Sequence, residues 1–355
     1  MRKKRTICRA VLALALSLTM AVPALAADVP FSDIPQNTEL CESAAYLSYH
    51  GITHGTGAGT FSPDAPVTAR QWAVMLCRAY GVETTGDTWA ELSQNSIAEA
   101  CRKGWLSESA VLHPDTLLCR GALYESALAA ARIPVYDSVL YEGGAALSDY
   151  ENCLRVGREL QLCGEKDAVN ELVTRGETAV LLHALLTRSF TVETPATPVT
   201  LVNAAGVHSN DYLLALRQVP EPVLNAFNRA GWVLRIDFDY LGALSERLNM
   251  SCVGAASYAG KTIYLAEPSS TLHEFGHFLD GQLGFPEEHE ELFQAEARVS
   301  VLRPYAKTNA REYFADCFAF WVVNSGDGRR MEQFRNAAPR TWAYLERLAE
   351  KGWYI

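Results

Sequence analysis

A pattern of two amphipathic stretches joined by a Gly-rich turn recurs three times in the first half of the chain, in copies of roughly fifty residues. The copies span residues 27–85, 86–140 and 141–190. In the first copy, Thr68 precedes the second amphipathic stretch, and threonine is a residue that caps helix N-termini. Units of this size cannot bury their apolar faces alone. We therefore expect a mostly α-helical domain in which the copies pack against one another.

These copies resemble S-layer homology repeats, most clearly in residues 31–63 of the first copy. That family occurs in sets of three and opens its second helix with a Thr-Arg pair followed by Glu. The third copy keeps this motif as Thr174, Arg175 and Glu177, and the second copy keeps Arg120. The resemblance implies that the repeats bind cell-wall polysaccharide of a bacterium, with Arg175 and Arg120 meeting its anionic groups.

The first 26 residues have the organisation of a secretory signal peptide. A cationic start is followed by an apolar run over residues 10–22, and small residues occupy 24–26. This run is too short to span a bilayer, and no later stretch is long and apolar enough to do so. The sequence therefore predicts a secreted protein without a membrane span, held at the cell wall by its repeats.

Charge and cysteine usage exclude several classes of site. The formal net charge is −10, and residues 27–355 carry 26 Lys and Arg against 41 Asp and Glu. Such a surface repels nucleic acid and anionic membranes, so we expect neither as a partner. Eight cysteines remain after the signal peptide, but they form no CxxC motif. The spacing argues against a cysteine zinc site and assigns no disulfide pairing.

The character of the chain changes after residues 191–200, which hold two Pro and four Thr and are predicted to be a linker. Residues 201–355 contain alternating or apolar stretches near 232–238, 252–257 and 261–266, followed by helical patterns. A small sheet followed by helices predicts an α+β domain.

The chemistry of this second half centres on the stretch His273-Glu274-Phe275-Gly276-His277. On a helix, His273 and His277 project from one face and can bind the same zinc ion. Glu274 lies beside them, where it can take a proton from water. The flanking apolar residues place this motif on a buried helix, as expected for a zinc peptidase.

A third zinc ligand must come from elsewhere in the chain. One class of zinc peptidases supplies a His six residues after the second His, but that position is Leu283 here. Glu312 fits the other class, in which a later helix supplies a Glu. Asp316 lies one turn further on, where it can accept a hydrogen bond from a ligand His.

Residues 201–355 resemble the anthrax lethal factor family of zinc metallopeptidases, which includes the Pro-Pro endopeptidases of clostridia. The resemblance rests on the His273–His277 motif and on the segment 305–316, which begins with a Tyr seven residues before Glu312. It implies an α+β zincin fold of the gluzincin type, with one Zn²⁺ per chain held by His273, His277 and Glu312. It also implies that Glu274 is the catalytic base, that Tyr305 donates to the oxyanion, and that Asp316 orients a ligand.

The sequence thus predicts a multidomain, wall-anchored zinc endopeptidase that cleaves surface or extracellular proteins, with Pro-rich sites as one option. Two alternatives stay open. The chain is a wall-binding structural or adhesion protein with a vestigial peptidase domain, or the zinc site hydrolyses a bond other than a peptide bond.

Overall fold

The computed structural model describes residues 31–353. The predicted signal peptide, residues 1–26, lies outside the described residues. Within the described part, no helix combines the length and the apolar character needed to cross a bilayer.

The first half consists of helices, which pair across the three copies. The helices are α1 (Glu39–Tyr49), α2 (Ala69–Ala79), α3 (Trp89–Arg102), the short α4 (Ser109–Leu112), α5 (Arg120–Ala130), α6 (Asp149–Glu159) and α7 (Arg175–Thr187). Helix α2 packs on α3, α5 packs on α6, and α7 packs on α1, so that the three copies close a ring. The predicted packing of mostly helical units is confirmed.

Three short extended segments hydrogen-bond in a cycle at the centre of this ring. The amide of Val67 donates to the carbonyl of Val173, Leu118 donates to Val67, and Val173 donates to Leu118, over 3.2, 2.8 and 3.1 Å. All three side chains are buried. Each copy therefore supplies one edge of a closed threefold arrangement.

The Thr and Glu of the repeat motif have a local structural role. Thr174 and Glu177 form a reciprocal capping box that satisfies free N–H groups at the start of α7. Thr68 and Gln71 do the same for α2, whereas Cys119 gives α5 no side-chain cap. Two of the three copies thus keep the residues that fix where the second helix begins.

The second half combines helices with a small sheet. Its strands are β1 (Leu201–Asn203), β2 (Val233–Ile236), β3 (Gly254–Ser257) and β4 (Thr262–Leu265). Its helices are α8 (Asn210–Gln218), α9 (Glu221–Arg229), α10 (Phe238–Leu248), α11 (Thr271–Gln282), α12 (Glu287–Glu296), α13 (Ala310–Asn324), α14 (Gly328–Ala337) and α15 (Pro339–Glu350). A 3₁₀ turn, Pro304–Lys307, precedes α13.

The sheet has the order β1-β2-β4-β3. The pairs β1–β2 and β2–β4 are parallel, and β3 runs antiparallel to β4 at the edge of the sheet. Helix α11 packs on β3 and also on α13, so it lies between the sheet and the remaining helices. The predicted combination of helical repeats with a small sheet and further helices is confirmed.

Two apolar cores fill the molecule, one in each half. The core of the second half also includes Tyr136 from the repeat region and Val199 from the predicted linker. In addition, the Tyr141 hydroxyl donates to the carbonyl of Glu193 over 2.6 Å. Residues 191–200 are therefore packed against both halves, although their composition is typical of a semi-rigid linker.

Candidate metal centre and active-site cleft

The two histidines of the HExxH motif lie on α11, which is buried along most of its length. Leu272, Phe275 and Phe278 anchor this helix in the core of the second half. Because the apolar side chains hold the other faces of the helix, His273 and His277 project together toward α13.

Glu312 reaches the same point because α11 and α13 cross very closely. A Cβ atom at Gly276 would lie 2.7 Å from Cα of Ala315, so only glycine allows this approach. Glu312 lies in the first turn of α13, which Asn309 caps by accepting hydrogen bonds from the amides of Arg311 and Glu312. The crossing therefore brings the predicted ligands of two helices together.

Three potential ligand atoms converge between these helices. The Nε2 atoms of His273 and His277 are 3.1 Å apart, and Oε2 of Glu312 lies 3.0 and 3.3 Å from them. Within the described part of the chain, Oε2 of Glu312 is buried and makes no hydrogen bond of proper geometry. Lone pairs that meet at one buried point are stabilised by a cation, and two His with one Glu form a donor set of catalytic zinc sites. These residues fit a zinc ion.

Asp316 lies on the same face of α13 and orients one of the imidazoles. The Nδ1 of His273 donates to Oδ1 of Asp316 over 2.6 Å, which leaves Nε2 free to act as a ligand. Burial alone would raise the pKa of Asp316, but hydrogen bonds from His273 and Arg303 outweigh it and lower that pKa.

The predicted ligands form a charged cluster with Asp316. Burial alone would lower the pKa of His273, but the adjacent carboxylates of Asp316 and Glu312 raise it to about 9. Burial likewise opposes ionisation of Glu312, yet the adjacent His273 and His277 lower its pKa well below its usual range. The positive charge of His273 thus lies beside the negative charges of Glu312 and Asp316.

Glu274 is the most deeply buried carboxylate of the cleft, with 4% of its surface exposed. Burial raises its pKa, and the neighbouring His277 and His273 oppose the shift. Its Oε2 has no hydrogen-bond partner among the described residues, and a Cβ on Gly254 would lie 2.5 Å from Oε1. Strand β3 thus leaves room for this carboxylate only because a glycine stands there.

Tyr305 lies on the 3₁₀ turn before α13, and its ring centroid is 6.0 Å from that of His273. Its side chain is 40% exposed and lines the same cavity as the metal-site residues. Burial, together with the nearby Glu312 and Glu274, raises the pKa of Tyr305 to about 12. The hydroxyl therefore keeps its proton at neutral pH and can donate a hydrogen bond.

A cleft of about 560 Å³ contains all these groups. One wall is the edge strand β3, which lies within the predicted extended stretch 252–257, although no sequence pattern placed that stretch at the cleft. A second wall is apolar and comes from α10 and the loop after it, with Leu244, Leu248 and Met250. The facing wall is polar and includes Glu290 and Arg311. An extended chain can pair with β3 and pass over the metal site.

Arg303 is a further member of the site that the sequence analysis did not assign. Its guanidinium makes two hydrogen bonds to Asp316, of 2.6 and 2.7 Å. The only sequence signal for it is indirect, since a buried carboxylate such as Asp316 needs a cationic or hydrogen-bonding partner.

His289 is buried outside the metal site. Its Nδ1 lies 2.7 Å from Oδ1 of Asp280, and its Nε2 lies 2.8 Å from the Tyr344 hydroxyl. The ring also stacks on Phe314. This network joins α11, α12, α13 and α15, so His289 holds together the helices behind the cleft.

The two arginines that the sequence assigns to polysaccharide binding differ in their surroundings. Arg120 is engaged by Glu177 at 2.8 Å, with Glu171 and Asp167 at 3.5 and 3.7 Å. Three carboxylates thus surround this guanidinium and neutralise its charge. These ion pairs join the second and third copies.

Arg175 is also largely buried, because its Nε donates to the carbonyl of Phe61 and its guanidinium lies over the Phe61 ring. It nevertheless lines a cavity of about 410 Å³ together with Arg78, His54 and Trp89. Among residues 31–353, no carboxylate lines this cavity. Its two guanidinium groups and its indole ring suit a ligand that carries both acidic groups and sugar rings.

Comparison with known families gives two matches. Residues 240–348 match the family described as anthrax toxin lethal factor, N- and C-terminal domain. The C-terminal half resembles lethal factor, as predicted. Residues 30–68 match the S-layer homology domain. Both predicted resemblances are therefore confirmed, in the predicted order along the chain.

Among solved structures, the Pro-Pro endopeptidase PPEP-2 from Paenibacillus alvei is similar to part of the chain. The similarity covers 42% of this chain and 96% of that chain, with 14% identity and a TM-score of 0.33. None of the curated proteins compared with the chain matches it.

Proposed function

We propose that the second half of the chain is a zinc-dependent endopeptidase of the zincin type. The observation that carries this proposal is the convergence of His273, His277 and Glu312 within 4.8 Å of one another, at the floor of a cleft. The buried Glu274 and the edge strand β3 line the same cleft. Both features serve hydrolysis of an extended peptide.

The residues divide the work of hydrolysis among them. When bound by the three ligands, a zinc ion supplies Lewis-acid polarisation of the scissile carbonyl and lowers the pKa of water. Glu274 accepts the proton of the attacking water and delivers it to the leaving amine. Tyr305 donates a hydrogen bond from its hydroxyl to the developing oxyanion. The backbone of β3 holds the substrate in an extended conformation.

Metal content and turnover of the full chain test this assignment. We expect one zinc per chain, no turnover but retained zinc in Glu274→Gln, and loss of both in His277→Ala. A peptide library that includes Pro-Pro bonds provides the substrates, since the sequence resemblance includes Pro-Pro endopeptidases. Loss of zinc in Glu274→Gln would contradict the role of Glu274 as a base.

The same experiment separates the alternatives. A wall-binding adhesion protein with a vestigial peptidase domain would leave the library intact at any zinc loading. A hydrolase for another bond would bind zinc and spare every peptide, yet cleave ester or amide substrates in a Glu274-dependent manner. Cleavage of peptides by the wild type, and not by Glu274→Gln, would exclude both.

We further propose that the protein is secreted and that its repeats bind anionic cell-wall polysaccharide in the cavity of Arg175. This proposal is supported by the S-layer homology match at residues 30–68. It is also supported by the two arginines and the half-exposed Trp89 that line the cavity. Arginine pairs with acidic groups of the polymer, while an aromatic face packs on sugar rings.

Co-sedimentation of the full chain with purified cell wall tests this attachment. We expect Arg78→Met and Arg175→Met to reduce the bound fraction, whereas Arg102→Met, at an exposed position on α3, should bind as wild type does. Because Arg175 also contacts Phe61, Arg78→Met keeps the test informative if Arg175→Met fails to fold. Undiminished sedimentation of Arg78→Met would count against this cavity.

A further inference from the structure

We propose that Arg303 is a positioning residue that fixes both the metal ligand His273 and the hydroxyl donor Tyr305. The inference rests on the proposed function, because it assigns Arg303 a task at the proposed metal site. Its effect would be exerted through Asp316, through Tyr305 and through the 3.2 Å contact of its Nη2 with Nδ1 of His273, without contact to the substrate.

The first contact consists of two hydrogen bonds from Arg303 to Asp316. Arg303 Nε donates to Oδ2 over 2.6 Å, and its Nη2 donates to Oδ1 over 2.7 Å. The side chain of Asp316 is 8% exposed, so it has few other partners. A planar guanidinium that binds both oxygens prevents the carboxylate from rotating about its terminal bond.

That carboxylate in turn fixes the orientation of His273. Oδ1 of Asp316 accepts from Nδ1 of His273 over 2.6 Å, while Nε2 of the same ring faces Glu312 at 3.0 Å. If the carboxylate turns, the imidazole turns with it, and Nε2 moves away from its place in the ligand set. Arg303 therefore fixes the orientation of His273 at the metal site through its hydrogen bonds to Asp316.

The second contact is with Tyr305. The guanidinium carbon of Arg303 lies 5.3 Å from the centroid of the Tyr305 ring, within the range of a cation–π interaction. Tyr305 is 40% exposed and lies on a short 3₁₀ turn, so few other groups restrain its ring. The same guanidinium thus restrains the group that donates to the oxyanion.

The geometry argues against a direct catalytic role for Arg303. Tyr305 and the ligand residues line the cleft, whereas Arg303 is absent from its lining. Its Nε and Nη2 are both committed to Asp316. Lys307, the other nearby cation, donates to the carbonyls of Arg298 and Ser300. Neither side chain is placed to bind the oxyanion in place of Tyr305.

Zinc affinity of the full chain, measured by competition with a chelator, tests the first contact. Arg303→Met keeps the apolar part of the side chain but removes both hydrogen bonds to Asp316. We expect zinc affinity to fall about 10- to 100-fold. The zinc affinity of Arg303→Lys should lie between those of the wild type and Arg303→Met, because an ammonium group cannot bind both oxygens at once. Arg329→Met, at an exposed position on α14, should bind zinc as wild type does.

A double substitution shows whether the effect passes through Asp316. On an Asp316→Asn background, Arg303→Met should reduce zinc affinity much less than it does in the wild type, since only one oxygen remains for the guanidinium to bind. Additive losses would overturn the proposed route. Steady-state kinetics test the second contact, where Arg303→Met should lower kcat at saturating zinc and leave KM nearly unchanged.

The outcomes separate this inference from the proposed function. If wild type binds zinc and Arg303→Met binds it within threefold as tightly, the inference is wrong and the proposed function stands. If wild type binds zinc but cleaves no peptide, the peptidase proposal fails and the affinity measurement still decides the role of Arg303. A wild-type chain that binds no zinc would overturn both.

Discussion

Tyr305 is the catalytic candidate with the least support from the fold. It is 40% exposed, whereas Glu274 is 4% exposed and lies on a buried helix. We expect Tyr305→Phe to lower kcat about 10²- to 10³-fold, because one hydrogen bond to the oxyanion is lost. KM and zinc affinity should change little, since the hydroxyl holds neither the substrate in its ground state nor the metal.

The control for this change is Tyr240→Phe. Tyr240 stacks on Tyr264 at 3.7 Å and does not line the cleft, so its hydroxyl has no place in hydrolysis. A Tyr305→Phe enzyme with a kcat near that of wild type would show that another group supports the oxyanion.

The charge on His273 makes zinc binding pH-dependent. Its pKa is raised to about 9, so near neutral pH the metal must displace a proton from it. We expect zinc affinity to rise about tenfold per pH unit between about pH 7 and pH 9, and to gain nothing more from His273 above that. Calorimetry in buffers of different ionisation enthalpy would count the released proton.

Asp316→Asn supplies the matched variant. It removes a hydrogen bond that raises the pKa of His273, so the rise should level off at a lower pH. A flat zinc affinity between about pH 7 and pH 8.5 in the wild type would contradict the pKa of His273.

The sequence predicted those residues of the site that belong to a recognisable helical pattern. His273 and His277 follow from the four-residue spacing, and Glu312 from an acid on an otherwise apolar helix. Arg303 follows from no local pattern, because its role depends on the crossing of α11 and α13. The sequence did suggest Arg120 as a polymer ligand, but three carboxylates from other segments surround it.

At the scale of elements, the crossing of α11 and α13 decides whether the ligands meet. A Cβ at Gly276 would lie 2.7 Å from Cα of Ala315 and 2.8 Å from its carbonyl oxygen. We expect Gly276→Ala to push the helices apart, to destabilise the fold by about 1–3 kcal/mol and to weaken zinc binding. The measurements are a denaturant titration and chelator competition.

Gly242 provides the control, because it lies on α10 and no atom of the described residues comes within 4 Å of the point where its Cβ would lie. There, Gly242→Ala should leave zinc binding unchanged and stabilise the helix by up to about 1 kcal/mol. Equal zinc affinity of Gly276→Ala and wild type would mean that the crossing can relax without moving the ligands.

Helix α10 and strand β1 are among the elements that were not predicted from the sequence. Helix α10 carries Leu241, Leu244 and Leu248 at helical spacing, but only Leu241 is buried, and the other two line the cleft. Strand β1 is three residues long and mostly exposed, which is too short for alternation to be visible. In contrast, β2 and β4 are largely buried and stand out as apolar runs. Local patterns thus identified three of the four strands and missed the short edge strand β1.

At the scale of the whole molecule, the two halves share apolar contacts. Tyr136 and Val199 are 7% and 4% exposed and belong to the core of the second half. We expect a fragment of residues 201–355 to melt at a lower temperature than one of residues 189–355, since loss of a buried Val costs about 1.5–3 kcal/mol. Differential scanning calorimetry of both fragments and of the full chain gives the comparison.

Val199→Ala in the full chain isolates this contact from effects of truncation. It should lower the apparent melting temperature, while Val202→Ala, at an exposed position of β1, should not. Identical melting of the two fragments would show that residues 189–200 add nothing to the stability of the second half.

The cycle of backbone hydrogen bonds through Val67, Leu118 and Val173 also bears on how such a protein can evolve. Each amide in the cycle uses the carbonyl of another copy, and α1 closes the ring by packing on α7. A gene duplication that added a fourth copy would have to open all of these contacts and turn each unit through a smaller angle. A deletion would leave unpaired amides in the interior. Copy number is therefore fixed by geometry, while sequence drift within one copy, as in the second, is tolerated.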